Sequence, residues 1–218
     1  LVDCGLEQDQ LPERGWNNAP WPFDPARLRF VILTHAHVDH CGLIPALYRR
    51  GFTGVVYCTK ETAQIASIML KDSARLSNGL YTEADVDAIH WREPGRQVLG
   101  GYHPVAHDLF IQFFRTAHVL GAVAVRVLWG DRTRGQQKSI IFSGDLGPDV
   151  EDLEGLPFLR HRMDVPPSDF AVIESTYGSK VREPAEQGLD QRQKRLKHLV
   201  DKVMLEDGTL LIPAFSLG

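Results

Sequence analysis

Residues 33–42 read L-T-H-A-H-V-D-H-C-G, so the six positions from His35 to His40 hold three imidazoles and a carboxylate. In a helix, side chains two apart point about 200° away from each other and share nothing. In an extended segment, positions i, i+2 and i+4 lie on one side. His35, His37 and Asp39 then face one way, and His40 follows as the chain turns. Imidazole suits zinc, and a carboxylate can reach a neighbouring ion. A polar turn with chance histidines is the plain alternative. Four ligating side chains directly behind the apolar run "RFVIL" argue against it.

Two more residues are candidates to complete such a site. His118 lies in "RTAHVLG" and Asp145 in "IIFSGDLG", each at the end of an apolar run. Taken singly, a strand-end histidine is usually structural and an aspartate before a turn is usually a turn former. With the first cluster, they read as ligands. Cys41, next to His40, reads as a small packing residue rather than a ligand.

Positioning these groups takes a mixture of short strands and helices. Residues 12–25, with four prolines, read as a loop. "RLRFVILT", "GVVYCT", "DLFIQFFRTA", "GAVAVRVLWG", "SIIFSG", "DFAVIEST" and "GTLLIPAF" read as strands. "GLIPALYRR" reads as a short helix stopped at Gly51. Residues 61–76 place Ile65, Ile68, Met69 and Leu76 at helical spacing behind a Thr59 cap, and Thr82 with Asp85 resembles a capping box. Residues 190–206 form a basic amphipathic helix with Arg192, Lys194, Arg195, Lys197 and Lys202. Its bland reading, a solvated face, outweighs a phosphate path. The fold class is α/β and layered, with His35, His118, Asp145 and Glu174 at strand ends.

Over 218 residues, the hydrophobic share of 43% is enough for a sizeable core, and the formal charge of −4 sets up no global basic field. No run is long enough to span a membrane, and none reads as a signal peptide. Cys4, Cys41 and Cys58 form no C-x-x-C pair and fit free thiols in a reducing cytoplasm. His90, His103, His107, His161 and His198 match no ligand pattern. The opening "LVDCG" reads as a strand end and the close "LIPAFSLG" as a strand entering a turn, so a longer protein is expected.

"THAHVDHCG", "AHVLG" and "FSGDLG", in that order and after "LVDCG", resemble the metal motifs of the metallo-β-lactamase superfamily. "IESTYG" followed by "LIPAFSLG" is similar to its β-CASP branch, which holds ribonuclease J and the pre-mRNA 3′-end cleavage endonuclease. The resemblance implies an αββα sandwich, two mixed sheets face to face with helices outside. It also implies domains at 1–178 (metallo-β-lactamase) and 179–218 (the start of an inserted β-CASP domain).

The same resemblance implies two zinc ions. His35, His37 and His118 would hold the first, Asp39 and His40 the second, and Asp145 would bridge them. Asp3 would orient the ligands from behind. Glu174 would position a catalytic histidine expected, with one more zinc ligand, beyond Gly218. Ala117 stands where the family commonly has glycine, a change expected to cost nothing. The implied activity is hydrolysis of RNA, taken as single-stranded, by a metal-bound hydroxide that leaves a 5′-phosphate. Asp39, Asp145 and Glu174 are the catalytic carboxylates in this reading. A cytoplasmic location and no membrane partner go with it, and a homodimer is allowed. The alternatives are a DNA-directed nuclease of the same branch, a thioesterase or lactonase on the same fold, and a non-catalytic partner subunit. "ESTYG" and "PAFSLG" speak against the thioesterase or lactonase, and the intact ligand set speaks against the partner subunit.

Overall fold

The apolar run before the histidine cluster forms β1 (Phe30–Ile32), which pairs in parallel with β2 (Val55–Tyr57). β3 (Trp91–Arg92) continues this three-stranded sheet, also in parallel. Val2 extends it through a parallel bridge to Ile32. Val31, Ile32 and Val56 are buried, as expected for parallel strands covered on both faces. The computed structural model describes residues 1–7, 20–76, 79–131, 133–147, 163–181, 189–214 and 217. These fall into two units, Leu1–Glu174 and Ser175–Gly218.

The second sheet runs in chain order: β4 (His103–Ala106), β5 (Leu109–Arg115), β6 (Val123–Trp129), β7 (Lys138–Phe142) and β8 (Phe170–Val172). Its pairs are antiparallel until β7–β8, which is parallel. Alternation along β5 and β6 turns Ile111, Phe113, Val123 and Val125 inward, where they pack with Ile32 and Tyr57 of the first sheet. This two-sheet core is the expected sandwich, and each such side chain contributes about 1.5–3 kcal/mol by leaving water. On the opposite face, the buried guanidinium of Arg126 donates to Gln112, Ser139, Ser168 and the Pro167 carbonyl. That set of partners is what makes a buried cation tolerable.

Helices α1 (Val38–Cys41), α2 (Ile44–Arg49), α3 (Lys60–Leu76) and α4 (Glu83–Asp87) lie in the first unit. Thr59 caps α3 by accepting from the Thr62 amide, and the Thr82–Asp85 capping box is present. α2 ends at Gly51, whose φ of 95° suits glycine. The α3 face differs from the expected one. Thr62, Ala66 and Leu70 are buried, while Ile68 and Leu76 are largely exposed. Small side chains and a hydroxyl bring the helix close to its neighbours, which apolar spacing alone does not reveal. The second unit carries α5 (Leu189–Leu205), where the basic helix is expected.

Two further differences stand out. β3 and β4 were not expected: β3 has two residues, and β4 is an edge strand holding Pro104. The strand expected over "GTLLIPAF" is absent from residues 208–214, because the described part of that unit holds no strand to complete a ladder. Residues 12–19 of the expected loop, His161, the Arg192 side chain, and residues 215–216 and 218 of the closing motif lie outside the described residues. No helix among the described residues is long and apolar enough to cross a membrane.

Candidate metal centre

His35 follows β1 in extended backbone that persists through His37, whose φ and ψ are −64° and 146°; α1 then begins at Val38. This geometry turns His35 and His37 to one side and places Asp39 and His40 in the first helical turn. His118 sits in the loop joining β5 to β6, and Asp145 follows β7. Backbone bonds bring these loops together. The Val123 amide donates to the Thr34 carbonyl and the Gly147 amide to the Thr116 carbonyl, each at 3.0 Å. The hydroxyls of Thr59 and Thr62 donate to the Gly121 carbonyl at 2.9 and 3.0 Å, pinning the His118 loop to the start of α3. Gly147 is required by close approach, since a Cβ there would overlap the Ala117 carbonyl.

One ligand atom from each of His35, His37, His118 and Asp145 lies within 4.8 Å of the others. His37 Nδ1 stands 3.1 Å from both His35 Nε2 and His118 Nε2. A tetrahedral ion with bonds of about 2.0–2.1 Å sets its ligands roughly 3.3 Å apart, so these spacings fit one. Asp145 Oδ2 is 3.4 Å from His118 Nε2 and 3.7 Å from His35 Nε2. Its Oδ1 turns the other way, 3.2 Å from His40 Nε2. Asp39 Oδ2 lies 3.9 Å from the same His40 nitrogen, on the more exposed side.

The electrostatics separate the histidines. Burial, and then the neighbouring imidazoles, push His35 down to about 2 against the pull of Asp145. Burial likewise lowers His118, with His37 adding to the effect and Asp145 opposing it. Both are therefore neutral at pH 7, the form that ligates. Burial also opposes charge on His40, but hydrogen bonds and negative charge from Asp145 and Asp3 outweigh it and raise His40 to about 10. The His40 hydrogen bond, aided by His35 and His118, holds Asp145 at about 2. Neutral imidazoles facing an ionised carboxylate form a donor pocket suited to a divalent cation.

The remaining candidates have defined places. Asp3 accepts from the Thr34 amide and from His40 Nδ1, each at 2.8 Å, so it lies behind the histidine cluster. Glu174 Oε1 accepts from the Leu146 amide at 2.7 Å, bracing the loop that carries Asp145. The Cys41 thiol is buried and donates to the Ala36 carbonyl, as a packing residue would. His103 is buried, while His90, His107 and His198 are exposed. Ala117 corrects an expectation: its φ is 57°, in the left-handed region. A methyl group there costs about 1 kcal/mol, so alanine in place of glycine is not free. Sequence reading missed Thr34 and Thr62, and gave Thr59 only as a helix cap. A lone threonine carries no spacing signal, although Thr34 stands directly before the histidine cluster.

Comparison with known proteins agrees with this geometry. Residues 1–121 match the metallo-beta-lactamase superfamily. Ribonuclease TTHA0252 of Thermus thermophilus is 29% identical over the whole of this chain and 46% of its own length. Transcription termination factor FttA of Methanococcus maripaludis is 27% identical over all of this chain and 34% of its own. Cleavage and polyadenylation specificity factor 73 of Drosophila melanogaster is 30% identical over all of this chain and 30% of its own. The chain thus spans between about a third and a half of the length of these curated relatives.

Proposed function

Given that the chain belongs to the metallo-beta-lactamase superfamily, we propose that it is the metal-binding part of a zinc-dependent nuclease of the β-CASP kind, which hydrolyses RNA to leave a 5′-phosphate. The observation that carries this reading is the convergence of His35, His37, His118 and Asp145 within 4.8 Å. A relative named as a ribonuclease and matched along this whole chain supports the choice of RNA.

In this reading, His35, His37 and His118 would hold one zinc and Asp39 and His40 the other, with Asp145 contributing to both. When bound, two such ions bring the acidity of a water close to neutral and offset charge on phosphoryl oxygens. The protein's own residues supply placement. Asp3 fixes His40 through Nδ1 and keeps Nε2 toward Asp145, where an arriving cation would displace the Nε2 proton. Glu174 holds the Leu146 amide and so the direction of the Asp145 carboxylate. The leaving alkoxide needs a proton, and Glu174 is assigned to orient the histidine that gives it. Residues 179–218 are assigned as the opening of the inserted domain, a reading supported by the separate unit that begins at Ser175. Single-stranded RNA, a cytoplasmic location and a homodimer complete the proposal.

The test uses the intact protein. Elemental analysis is expected to find close to two zinc ions per chain, and labelled RNA to give products ending in 5′-phosphate. Hydrolysis of a thioester with none of RNA would overturn the substrate. Cleavage of DNA in preference to RNA would move the protein to the DNA-directed group.

A further inference from the structure

The Asp3 carboxylate reaches the metal centre by two routes. Oδ2 accepts directly from His40 Nδ1 at 2.8 Å. The same oxygen accepts from the Thr34 hydroxyl, also at 2.8 Å, and Oδ1 accepts from the Thr34 amide. Thr34 Oγ1 is in turn 3.0 Å from His35 Nδ1. Thr34 and His35 are almost wholly buried, at 1% and 0% exposure, so water does not substitute in this chain of bonds.

A hydroxyl has one proton. Thr34 gives its proton to the carboxylate, which can only accept, so the bond to His35 must take its proton from the ring. His35 is therefore protonated on Nδ1. Its Nε2, which faces His37 Nδ1 at 3.1 Å, is left with a bare lone pair. The other tautomer would set a ring lone pair against a hydroxyl already committed elsewhere and would place a proton where the cation belongs.

We infer that Thr34 is a positioning residue whose hydroxyl relays Asp3 to His35, holding that imidazole in the Nδ1–H form with Nε2 offered to the metal. One carboxylate thereby holds two adjacent imidazoles, His35 through Thr34 and His40 directly, whose Nε2 atoms face different oxygens of Asp145. The inference rests on reading the cluster as a zinc site.

The test compares wild type, Thr34→Val and Thr34→Ser in the intact protein. Valine keeps the shape and removes the hydroxyl; serine keeps the hydroxyl. All three retain the backbone amide that holds Asp3. Zinc affinity is measured against a competing chromophoric chelator. The ring tautomer of His35 is read in zinc-free protein from nitrogen-15 shifts. Thr34→Val is expected to bind zinc about 10–100-fold more weakly, the usual cost of losing such a partner, and to lose the pure Nδ1–H form. Thr34→Ser should restore both. If Thr34→Val does not fold, Thr34→Ala carries the same expectation. Unchanged affinity and tautomer in the hydroxyl-free variant would overturn the relay while leaving the zinc site intact. A wild-type protein that takes no zinc would instead sink the site, and the relay with it.

Discussion

Asp145 presents its two oxygens to different histidines, Oδ2 to His118 at 3.4 Å and Oδ1 to His40 at 3.2 Å. Replacing it by asparagine keeps the shape and removes the charge. We expect Asp145→Asn to lose bound metal and, with it, RNA cleavage down to background; His37→Ala should do the same. Elemental analysis beside a cleavage assay checks both, and a fully loaded, active Asp145→Asn would refute the arrangement. His40 predicts a pH effect in protein stripped of metal by a chelator. Its pKa is raised from 6.5 to about 10, so the folded state binds the proton more tightly than the unfolded chain. That stability is whole below about pH 6.5, declines as pH rises and is gone above about pH 10. Urea midpoints should therefore fall between pH 7 and 10, and His40→Asn should flatten the trend.

The loops after β5 and β7 touch through backbone, and here small changes have opposite signs. Ala117→Gly relieves a left-handed alanine and is expected to stabilise the fold by about 1 kcal/mol, read as a rise in Tm. Gly147→Ala forces a methyl into the Ala117 carbonyl and should cost about 1–3 kcal/mol while weakening metal binding through the shifted His118 loop. The sequence made these strands and the clustered side chains legible because each signal was local: "RFVIL" before the histidines, the apolar runs of β5 and β6, the Thr82–Asp85 cap. What it hid depends on partners distant in the chain. The buried face of α3 is chosen by the Gly121 carbonyl, and β3 exists only because β2 lies beside it. The strain at Ala117 follows from a turn whose φ no residue type announces.

Across the first unit, His35, His37 and His40 come from the side of the parallel sheet and His118 and Asp145 from the side of the larger one. A bound ion therefore ties the two layers of the core together. At a hundredfold excess over its Kd, one ion adds about 2.7 kcal/mol. Chelation is expected to speed hydrogen exchange around residues 33–41, 116–122 and 143–147 and to leave β4 unchanged; equal loss in β4 would contradict this. The strand directions have another use. β5 and β7 run toward the histidine cluster and β6 runs away, which puts residues 130–131 and 133–137 at the far end of the sheet. Gly135 there has nothing within 4 Å of where a side chain would begin. A biotinylated peptide grafted at that tip would tether the molecule to a sensor chip with its histidines turned outward, free to meet whatever is flowed past.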